Sequence, residues 1–288
     1  MTHIFDDKYK LCKQIGRGSY GEIVEGVRLS DGQIVAIKLE NVKINRPMLK
    51  HECMIYEDLI KNGVTRVPRI YCYGTDIDHN ILIMEKLGDS IEGLFQKCGK
   101  KLSVGTSAKI CYQVLESLEI LHSLNYVHRD VKPENFLVKN GKVYLIDFGL
   151  TKKYRNHKSN HLPFSTGRSL LGTARYASLN SHAGYELSRR DDLESLIYIL
   201  IYLIKGSLPW QKALGNTRSV RYSNIYSIKK NTSLRELCDG CPENIYHMLA
   251  HVRSLDFTEK PNYRFLRQLM LSLTDKKNYD WIKLNINP

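Results

Sequence analysis

The sequence predicts an α+β fold with two lobes, a small antiparallel β lobe followed by a larger, mainly helical lobe. The first 85 residues contain short segments of alternating apolar and polar residues, which is typical of half-buried strands, and one helical pattern interrupts them. From Leu87 onward, apolar residues recur at three- and four-residue spacing instead, which indicates helices. We therefore expect one domain over residues 1–288, with lobes at 1–86 and 87–288.

The small lobe has five predicted strands: Tyr9–Ile15, Glu22–Arg28, Gln33–Leu39, Ile70–Thr75 and Ile81–Glu85. Between the second and third of them, Asp31-Gly32 is a strong signal for a tight hairpin turn. The one helix of this lobe is predicted to begin around Pro47, because proline is favoured in a first helical turn. Its apolar face comprises Leu49, Cys53, Tyr56 and Ile60.

In the large lobe, two short strands are predicted around residues 131–147. Four segments have helical periodicity: Ser107–His122, Leu193–Ile204, Glu243–Leu255 and Tyr263–Thr274.

Composition limits the class of protein. Hydrophobic residues make up 42% and charged residues 25%, which suffices for an ordinary globular core. No window approaches the roughly 18–20 apolar residues of a membrane span, so we expect none. The seven cysteines are an odd number and lie mostly in apolar segments, which favours reduced thiols and an intracellular location, cytoplasmic, nuclear or both.

The net charge of +13 attracts polyanions, whether nucleic acid, phosphoprotein or acidic peptide. Charge alone does not choose among these partners. No signature of a zinc finger, an RNA-binding sheet or a homeodomain accompanies it. We therefore expect no specific nucleic-acid partner.

A glycine-rich run, Gly16-Arg17-Gly18-Ser19-Tyr20-Gly21, follows the first predicted strand. Glycines allow backbone amides to approach phosphate oxygens closely. Alone, this run is weak evidence, since a plain glycine-rich hairpin has the same pattern. A dinucleotide-binding fold would need a helix next, and Glu22–Arg28 is a predicted strand instead.

Lys38 ends the run Val35-Ala36-Ile37-Lys38 on a predicted strand, and Glu52 lies on the helix that follows. A lysine in this context can hold the α- and β-phosphates of a nucleotide if a carboxylate steadies it. Either residue alone would be better explained as a solvent-exposed charge.

The segment from His128 to Asn135 carries more information. Asp130 can orient a substrate hydroxyl, Lys132 adds positive charge beside a transferred phosphoryl group, and Asn135 can bind a metal. Asp147, in Asp147-Phe148-Gly149, can bind Mg²⁺ that bridges nucleotide phosphates.

Glycine loop, strand lysine, helix glutamate, catalytic loop and metal-binding aspartate occur once each in the order that phosphoryl transfer needs. The sequence thus resembles the protein kinases, which implies the bilobal protein kinase fold with a regulatory helix in its β lobe, and ATP and Mg²⁺ as cofactors. The resemblance places the phosphates along Gly16–Gly21. It further implies contacts to the nucleotide from Ile15, Ile23, Ala36, Met84 (at the gatekeeper position), Glu85, Leu87, Leu137 and Ile146.

The segment after Asp147 refines this resemblance. Most protein kinases have Ala-Pro-Glu here, whereas this chain has Ser178-Leu179-Asn180 within Gly172–His182. That stretch, together with Ser188–Ser195 and Lys205–Gln211, resembles the casein kinase 1 family. Thr151 departs from it, since the family usually has alanine there.

Membership of that family would imply a serine/threonine kinase that prefers acidic or phosphate-primed protein substrates. The basic pocket that reads the priming group corresponds to Arg168, Arg175 and Arg221, where arginine can grip phosphate oxygens in pairs. The family has lysine at the positions of Arg168 and Arg221, so charge is kept and geometry changes. The resemblance also implies a monomer that is constitutively active, without phosphorylation of its activation loop.

Two other classes stay open at this point. A pseudokinase scaffold would share the fold and act through binding, although each catalytic position has the residue type that catalysis needs. A nucleic-acid-binding module is motivated by the charge alone. A tyrosine kinase fits less well, because Lys132 follows the serine/threonine pattern of the catalytic loop.

Overall fold

The computed structural model describes residues 3–5, 7–18 and 21–286. It divides into two compact units, Met1–Gly88 with Tyr144–Leu150, and Asp89–Val143 with Thr151–Pro288. Within the described residues, the first unit is an antiparallel sheet with one helix and the second is mainly helical. The predicted α+β class is confirmed; the predicted lobe limits at 1–86 and 87–288 stay a prediction.

The sheet of the first unit has six antiparallel strands in the order β1-β2-β3-β4-β6-β5. Their bounds are His3–Ile4 (β1), Tyr9–Gly18 (β2), Gly21–Arg28 (β3), Ile34–Asn41 (β4), Ile70–Asp76 (β5) and His79–Glu85 (β6). The first strand was not predicted, because two residues are too few to produce an alternating pattern.

The turn between β3 and β4 is the predicted hairpin. Gly32 has φ of 73°, in the left-handed region that glycine adopts at little cost, and its N–H donates to the Arg28 carbonyl at 2.9 Å. Arg28 Nε donates to the Asp31 carboxylate at 2.9 Å. The Asp31-Gly32 signal is thereby confirmed.

Alternation along β4 decides where Lys38 lies. Val35 and Ile37 are fully buried and belong to the core of the unit. Since successive side chains of a strand point to opposite faces, Ala36 and Lys38 lie on the other face. The strand thus presents Lys38 away from the apolar core.

The helix of this unit, α1, spans Leu49–Lys61, two residues later than the predicted start. Leu49, Cys53 and Tyr56 are buried as predicted, whereas Ile60 is 42% exposed. Leu59 is buried in its place, because the position three residues after Tyr56 stays closer to the buried face of this helix.

The second unit contains nine helices among the described residues: α2 Ile91–Lys97, α3 Val104–Ser123, α4 Leu179–His182, α5 Arg189–Lys205, α6 Arg218–Asn231, α7 Leu234–Cys238, α8 Glu243–Ser254, α9 Tyr263–Leu273 and α10 Asp280–Lys283. Four further short strands follow α3: β7 Tyr126–Val127, β8 Phe136–Lys139, β9 Lys142–Leu145 and β10 Lys152–Lys153. β10 pairs antiparallel with β7.

Helix α5 is the most buried element of this unit. Its residues from Leu193 to Leu203 are all buried. It ends at Gly206, whose φ of 86° is the left-handed conformation typical of helix ends. The predicted segment Leu193–Ile204 covers its apolar part and omits the polar first turn, which carries Asp191 and Asp192.

Several helices were not predicted. α6 shows why, because only Ile225 and Lys229 are buried along its 14 residues, and so few apolar positions give no periodic signal. Across the described ranges, none of the helices combines the length and the apolar character needed to cross a membrane.

Candidate active site

The first unit brings together three of the predicted site residues. Lys38 Nζ lies 2.6 Å from Glu52 Oε2 and 3.0 Å from Asp147 Oδ1. Glu52 is 2% exposed and Lys38 is 13% exposed, so these charges are largely desolvated. The pairing of the strand lysine with the helix glutamate, expected from their spacing, is present.

The charge state of Lys38 follows from this arrangement. Burial alone would lower the pKa of its ammonium group, but the nearby carboxylates of Glu52 and Asp147 outweigh burial and raise the pKa above its ordinary value. Lys38 is therefore a fixed cation at neutral pH, which suits it to bind phosphate oxygens.

Glu40 positions the helix that carries Glu52. Its buried carboxylate, at the end of β4, accepts hydrogen bonds from the backbone N–H groups of Met48 at 2.6 Å and Leu49 at 3.1 Å. These amides belong to the N-terminus of α1, where a negative charge is favourable. One carboxylate thus ties the strand of Lys38 to the helix of Glu52.

The backbone of Asp147 is unusual and is held by Tyr56. Asp147 has φ of 65°, a left-handed conformation that few non-glycine residues adopt. Its N–H donates to the Tyr56 hydroxyl at 3.2 Å. The Tyr56 ring, fully buried, meets Phe148 edge to face at 4.9 Å. Tyr56 lies one helical turn after Glu52, so the same face of α1 supports both carboxylates.

Two glycines of the glycine-rich run differ in how much space a side chain would have there. A Cβ on Gly21 would lie 1.9 Å from the Leu39 carbonyl oxygen, so this glycine is needed for β3 to approach β4. A Cβ on Gly16 would meet only the Ile23 side chain, at an ordinary 3.5 Å. Packing therefore does not explain Gly16, whose role in phosphate binding stays a prediction. Arg17 and Gly18 end β2, whereas Ser19 and Tyr20 lie outside the described residues.

The candidate adenine residues of the first unit lie on β2, β3, β4 and β6, just after β6 (Leu87) or beside Asp147 (Ile146). Ala36 is opposite Met84 in the register of β4 with β6. Met84 and Leu87 are buried, Ile15 is 43% exposed, and Ile23, Ala36 and Ile146 are partly exposed. The Glu85 N–H donates to the Arg69 carbonyl at 2.8 Å, which commits that group within the unit. Leu137, on β8, belongs to the second unit.

The second unit holds the catalytic-loop residues. Asp130 Oδ2 lies 2.5 Å from Lys132 Nζ, while its Oδ1 accepts from the Thr173 hydroxyl at 3.0 Å and from the Thr173 N–H at 2.9 Å. Asn135 Nδ2 donates to the Asp130 carbonyl at 3.0 Å. The Asp130 carboxylate is therefore oriented from both sides, as a group that must align a substrate hydroxyl requires.

The backbone that leads into Asp130 is anchored to α5. Asp192 accepts from the N–H groups of His128 at 2.7 Å and Arg129 at 2.8 Å. Arg129 has φ of 69°, and these two bonds hold it in that conformation. His122 Nε2 lies 2.9 Å from the same carboxylate.

The triplet Ser178-Leu179-Asn180 is anchored at a neighbouring aspartate. Asp191, buried in the first turn of α5, accepts from the Ser178 hydroxyl at 2.7 Å and from Asn180 Nδ2 at 3.0 Å. It also accepts from the Ser188 N–H at 2.8 Å, which caps the helix. Ser178 and Asn180 thus bind this segment to α5 through two neutral hydrogen-bond donors.

The three arginines of the predicted anion pocket have different neighbours. Arg168 lies 3.2 Å from the Glu186 carboxylate. Arg175 is half-buried, over the rings of Tyr176 at 5.6 Å and Tyr202 at 5.8 Å. Arg221 is exposed on α6.

Sequence reasoning missed Thr173, Tyr56, Asp191 and Asp192 as parts of the site. The signal for Thr173 was its place in the segment closed by Ser178-Leu179-Asn180. The signal for Asp191 and Asp192 was their position in the first turn of α5, a helix that was predicted only in its apolar part. Tyr56 was predicted as core, and its buried ring fits that prediction while its hydroxyl has a polar role.

Comparison with known families gives one finding. The sequence model described as "Protein kinase domain" matches residues 9–271 of the chain, which include every predicted site residue.

Proposed function

Since the chain belongs to the protein kinase family, we propose that it is a serine/threonine kinase of casein kinase 1 type. The family transfers a phosphoryl group from ATP to hydroxyl groups of protein substrates. The strongest support for the proposal is the Asp130 carboxylate, which is held between Lys132 and Thr173.

In the proposed reaction, Lys38 holds the α- and β-phosphates while Glu52 fixes its position. Asp130 orients the substrate hydroxyl and accepts its proton, and Lys132 offsets the charge that develops on the transferred group. Each residue acts by positioning and electrostatics. The distances from Lys38 to Glu52 and from Asp130 to Thr173 therefore matter as much as the charges.

Asp147 and Asn135 are the proposed Mg²⁺ ligands. Both supply side-chain oxygen, the donor that Mg²⁺ prefers. Asn135 donates through its nitrogen to the Asp130 carbonyl, so the amide oxygen is the atom that we propose as the metal ligand. When bound, Mg²⁺ neutralises charge on the nucleotide phosphates. The protein's part is to keep the Asp147 carboxylate in place, through Lys38 and Tyr56.

Two contacts support serine or threonine as the acceptor. Thr173 bonds to Asp130 through both its hydroxyl and its N–H. A Cβ on the preceding Gly172 would lie 2.9 Å from Asp130 Oδ1, so the chain passes close to the catalytic carboxylate. This closeness favours a short acceptor side chain.

The casein kinase 1 type is supported by the segment that ends in Ser178-Leu179-Asn180 and by Arg175. Stacking on Tyr176 and Tyr202 fixes the Arg175 guanidinium at low entropic cost, and Trp210 Nε1 donates to its carbonyl at 2.7 Å. A preorganised guanidinium suits recognition of a phosphate. Arg168 and Arg221 belong to the same proposal and have less support, because one is paired with Glu186 and the other is exposed.

Constitutive activity, a monomeric state and a cytoplasmic or nuclear location complete the proposal. They follow from the resemblance to casein kinase 1. The net charge of +13 adds a long-range attraction for acidic or phosphorylated substrates.

The test compares transfer from Mg-ATP to two peptides that differ only in a phosphoserine three residues before the acceptor serine. We expect kcat/KM to favour the primed peptide by about tenfold or more, as for a charge-assisted bidentate contact. Arg175→Ala removes the guanidinium and should abolish most of this preference while keeping transfer to the unprimed peptide.

Arg235→Ala is the matched control, since Arg235 forms an exposed ion pair with Glu243 and contributes little. Equal transfer to both peptides by the unmodified protein would keep the kinase and remove the anion pocket. Absence of transfer to either peptide would favour the pseudokinase alternative.

A further inference from the structure

Helix α6 carries a lysine that is wholly buried. Lys229 is 0% exposed, whereas the next residue of the helix, Lys230, is exposed. The Lys229 ammonium group donates to the Ala174 carbonyl at 2.9 Å and to the Ala177 carbonyl at 2.6 Å. One side chain of α6 thus binds the backbone on both sides of Arg175.

The groups that contact this ammonium group are neutral. Besides the two carbonyls, the centres of the Trp210 and Tyr198 rings lie 4.8 and 5.1 Å from Nζ. Burial lowers the pKa of Lys229 well below its ordinary value; the Glu194 charge opposes this effect and the Arg253 charge reinforces it. Since a charge is costly to bury, packing alone would favour an apolar residue at this position.

Trp210 holds the same stretch of backbone. Its Nε1 donates to the Arg175 carbonyl at 2.7 Å, while its ring lies beside the Lys229 ammonium group. The carbonyls of Ala174, Arg175 and Ala177 therefore all accept hydrogen bonds from buried side chains. This backbone is fixed from the interior of the second unit.

Helix α6 also meets this segment one turn before Lys229. The Tyr226 ring is stacked on His182, with 5.7 Å between the ring centres, and His182 Nε2 lies 3.2 Å from the Ala174 carbonyl oxygen. Residues three apart share one face of a helix. The face of α6 that carries Lys229 is accordingly packed against the segment that contains Arg175.

The direction of the Arg175 side chain depends on this backbone. The guanidinium lies over the rings of Tyr176 and Tyr202, and the Tyr176 N–H donates to the Thr173 carbonyl at 2.9 Å. A planar guanidinium binds two phosphate oxygens at once only when its edge is correctly directed. A shift of the backbone below Arg175 would therefore weaken phosphate binding without removing the charge.

We propose that Lys229 is a positioning residue for recognition of the priming phosphate. By binding the carbonyls of Ala174 and Ala177, it fixes the backbone of Arg175 and the direction in which the guanidinium meets the phosphate. Lys229 is buried, so it acts through Arg175 and does not touch the substrate. This inference rests on the proposed recognition of primed substrates and adds a residue that determines it.

The test compares Lys229→Met with Lys230→Met, on the same primed and unprimed peptides. Methionine has a similar length and removes the ammonium group that donates to the two carbonyls. We expect the ratio of kcat/KM for the primed over the unprimed peptide to fall from about tenfold or more to about twofold in Lys229→Met, through a higher KM for the primed peptide. Lys230→Met removes the same charge from an exposed position and should keep the ratio of the unmodified protein.

A merely structural role of Lys229 predicts a different result. A partly unfolded enzyme turns over both peptides more slowly by the same factor, so the ratio would not change. An unchanged ratio in Lys229→Met overturns the proposal, and so does an equal fall of the ratio in Lys230→Met, which would make net charge the cause. Should Lys229→Met not fold, Lys229→Gln decides, because its uncharged amide is polar and has a shorter reach; an unchanged ratio there also overturns the proposal.

The failure of each proposal is distinguishable. If the unmodified protein transfers no phosphate, the kinase proposal fails. If it transfers phosphate equally to both peptides, the anion pocket fails, and the role of Lys229 fails with it. A preference for the primed peptide that persists in Lys229→Met removes the role of Lys229 and leaves the other two proposals in place.

Discussion

At the scale of single residues, the site depends on side chains that hold the catalytic groups in uncommon conformations. Asp147 and Arg129 both have positive φ values, of 65° and 69°. Such backbones cost of order 1–3 kcal/mol each and persist where neighbours fix them. Tyr56 does this for Asp147 through its hydroxyl, and Asp192 does it for Arg129 through its carboxylate.

Tyr56→Phe tests this reading. The variant keeps the ring contact with Phe148 and removes the hydroxyl that accepts from the Asp147 N–H. We expect a loss of about 1–2 kcal/mol in the free energy of unfolding, and a kcat lowered by about tenfold because Asp147 is less well held. Kinetics at varied Mg²⁺ and chemical denaturation measure the two effects. Unchanged kcat with unchanged Mg²⁺ dependence would show that the hydroxyl has no positioning role.

The sequence predicted the residues to which we assign direct chemistry, and it missed several that hold them in place. Lys38, Glu52, Asp130, Asn135 and Asp147 occur in motifs whose residue types follow from the chemistry itself. Thr173 and Asp191 act through contacts across 43 residues, to Asp130, and 13 residues, to Ser178. Such contacts exist only once the chain has folded, so a local pattern can mark the position of each residue and not its distant partner.

At the scale of elements, α1 and β4 together position Lys38. Strand alternation turns Lys38 away from the core, and helix periodicity places Glu52 on the buried face of α1. The Glu40 carboxylate joins the two elements at the helix N-terminus. Alternation and periodicity were visible in the sequence. The joining carboxylate was not, because Glu40 lies next to the last residue of a strand and caps a helix that begins nine residues later.

Glu40→Gln tests this joint. The amide keeps the size of the side chain and removes the negative charge at the N-terminus of α1, which should cost about 0.5–2 kcal/mol in the free energy of unfolding. Because α1 is then less firmly placed, we expect Glu52 to hold Lys38 less well and the KM for ATP to rise several-fold. Glu57→Gln, at an exposed position of the same helix, is the matched control. Equal KM values for the two variants would contradict the positioning role of Glu40.

Helices and strands were predicted correctly where one face is buried and the other is exposed. They were missed where few residues are buried or where polar residues are buried as well. α1 and the strands of the sheet have one buried face, so their periodicity is readable, although Ile60 was placed on the wrong side. α6 buries almost nothing and gave no signal. The polar first turn of α5 is itself buried, through Asp191 and Asp192, which hydrophobic periodicity cannot detect.

At the scale of the whole molecule, the proposed catalytic groups are divided between two units. Lys38, Glu52 and Asp147 belong to the first, and Asp130 and Asn135 belong to the second. The short segment Tyr144–Leu150 returns to the first unit after the chain has entered the second. The sequence predicted the change from strands to helices near Leu87, and it contained no sign of this return, because a segment of seven residues carries no composition signal of its own.

The central claim is that this protein is an active kinase, and transfer of the γ-phosphoryl group tests it most directly. Purified protein is incubated with Mg-ATP, labelled at the γ-phosphate, and an acidic serine peptide, beside Asp130→Asn and Asp147→Asn. We predict label on the peptide serine with the unmodified protein, and transfer reduced by about a hundredfold or more in both variants, which should fold normally. Absence of label with the unmodified protein, or substantial turnover by Asp147→Asn, would contradict the account.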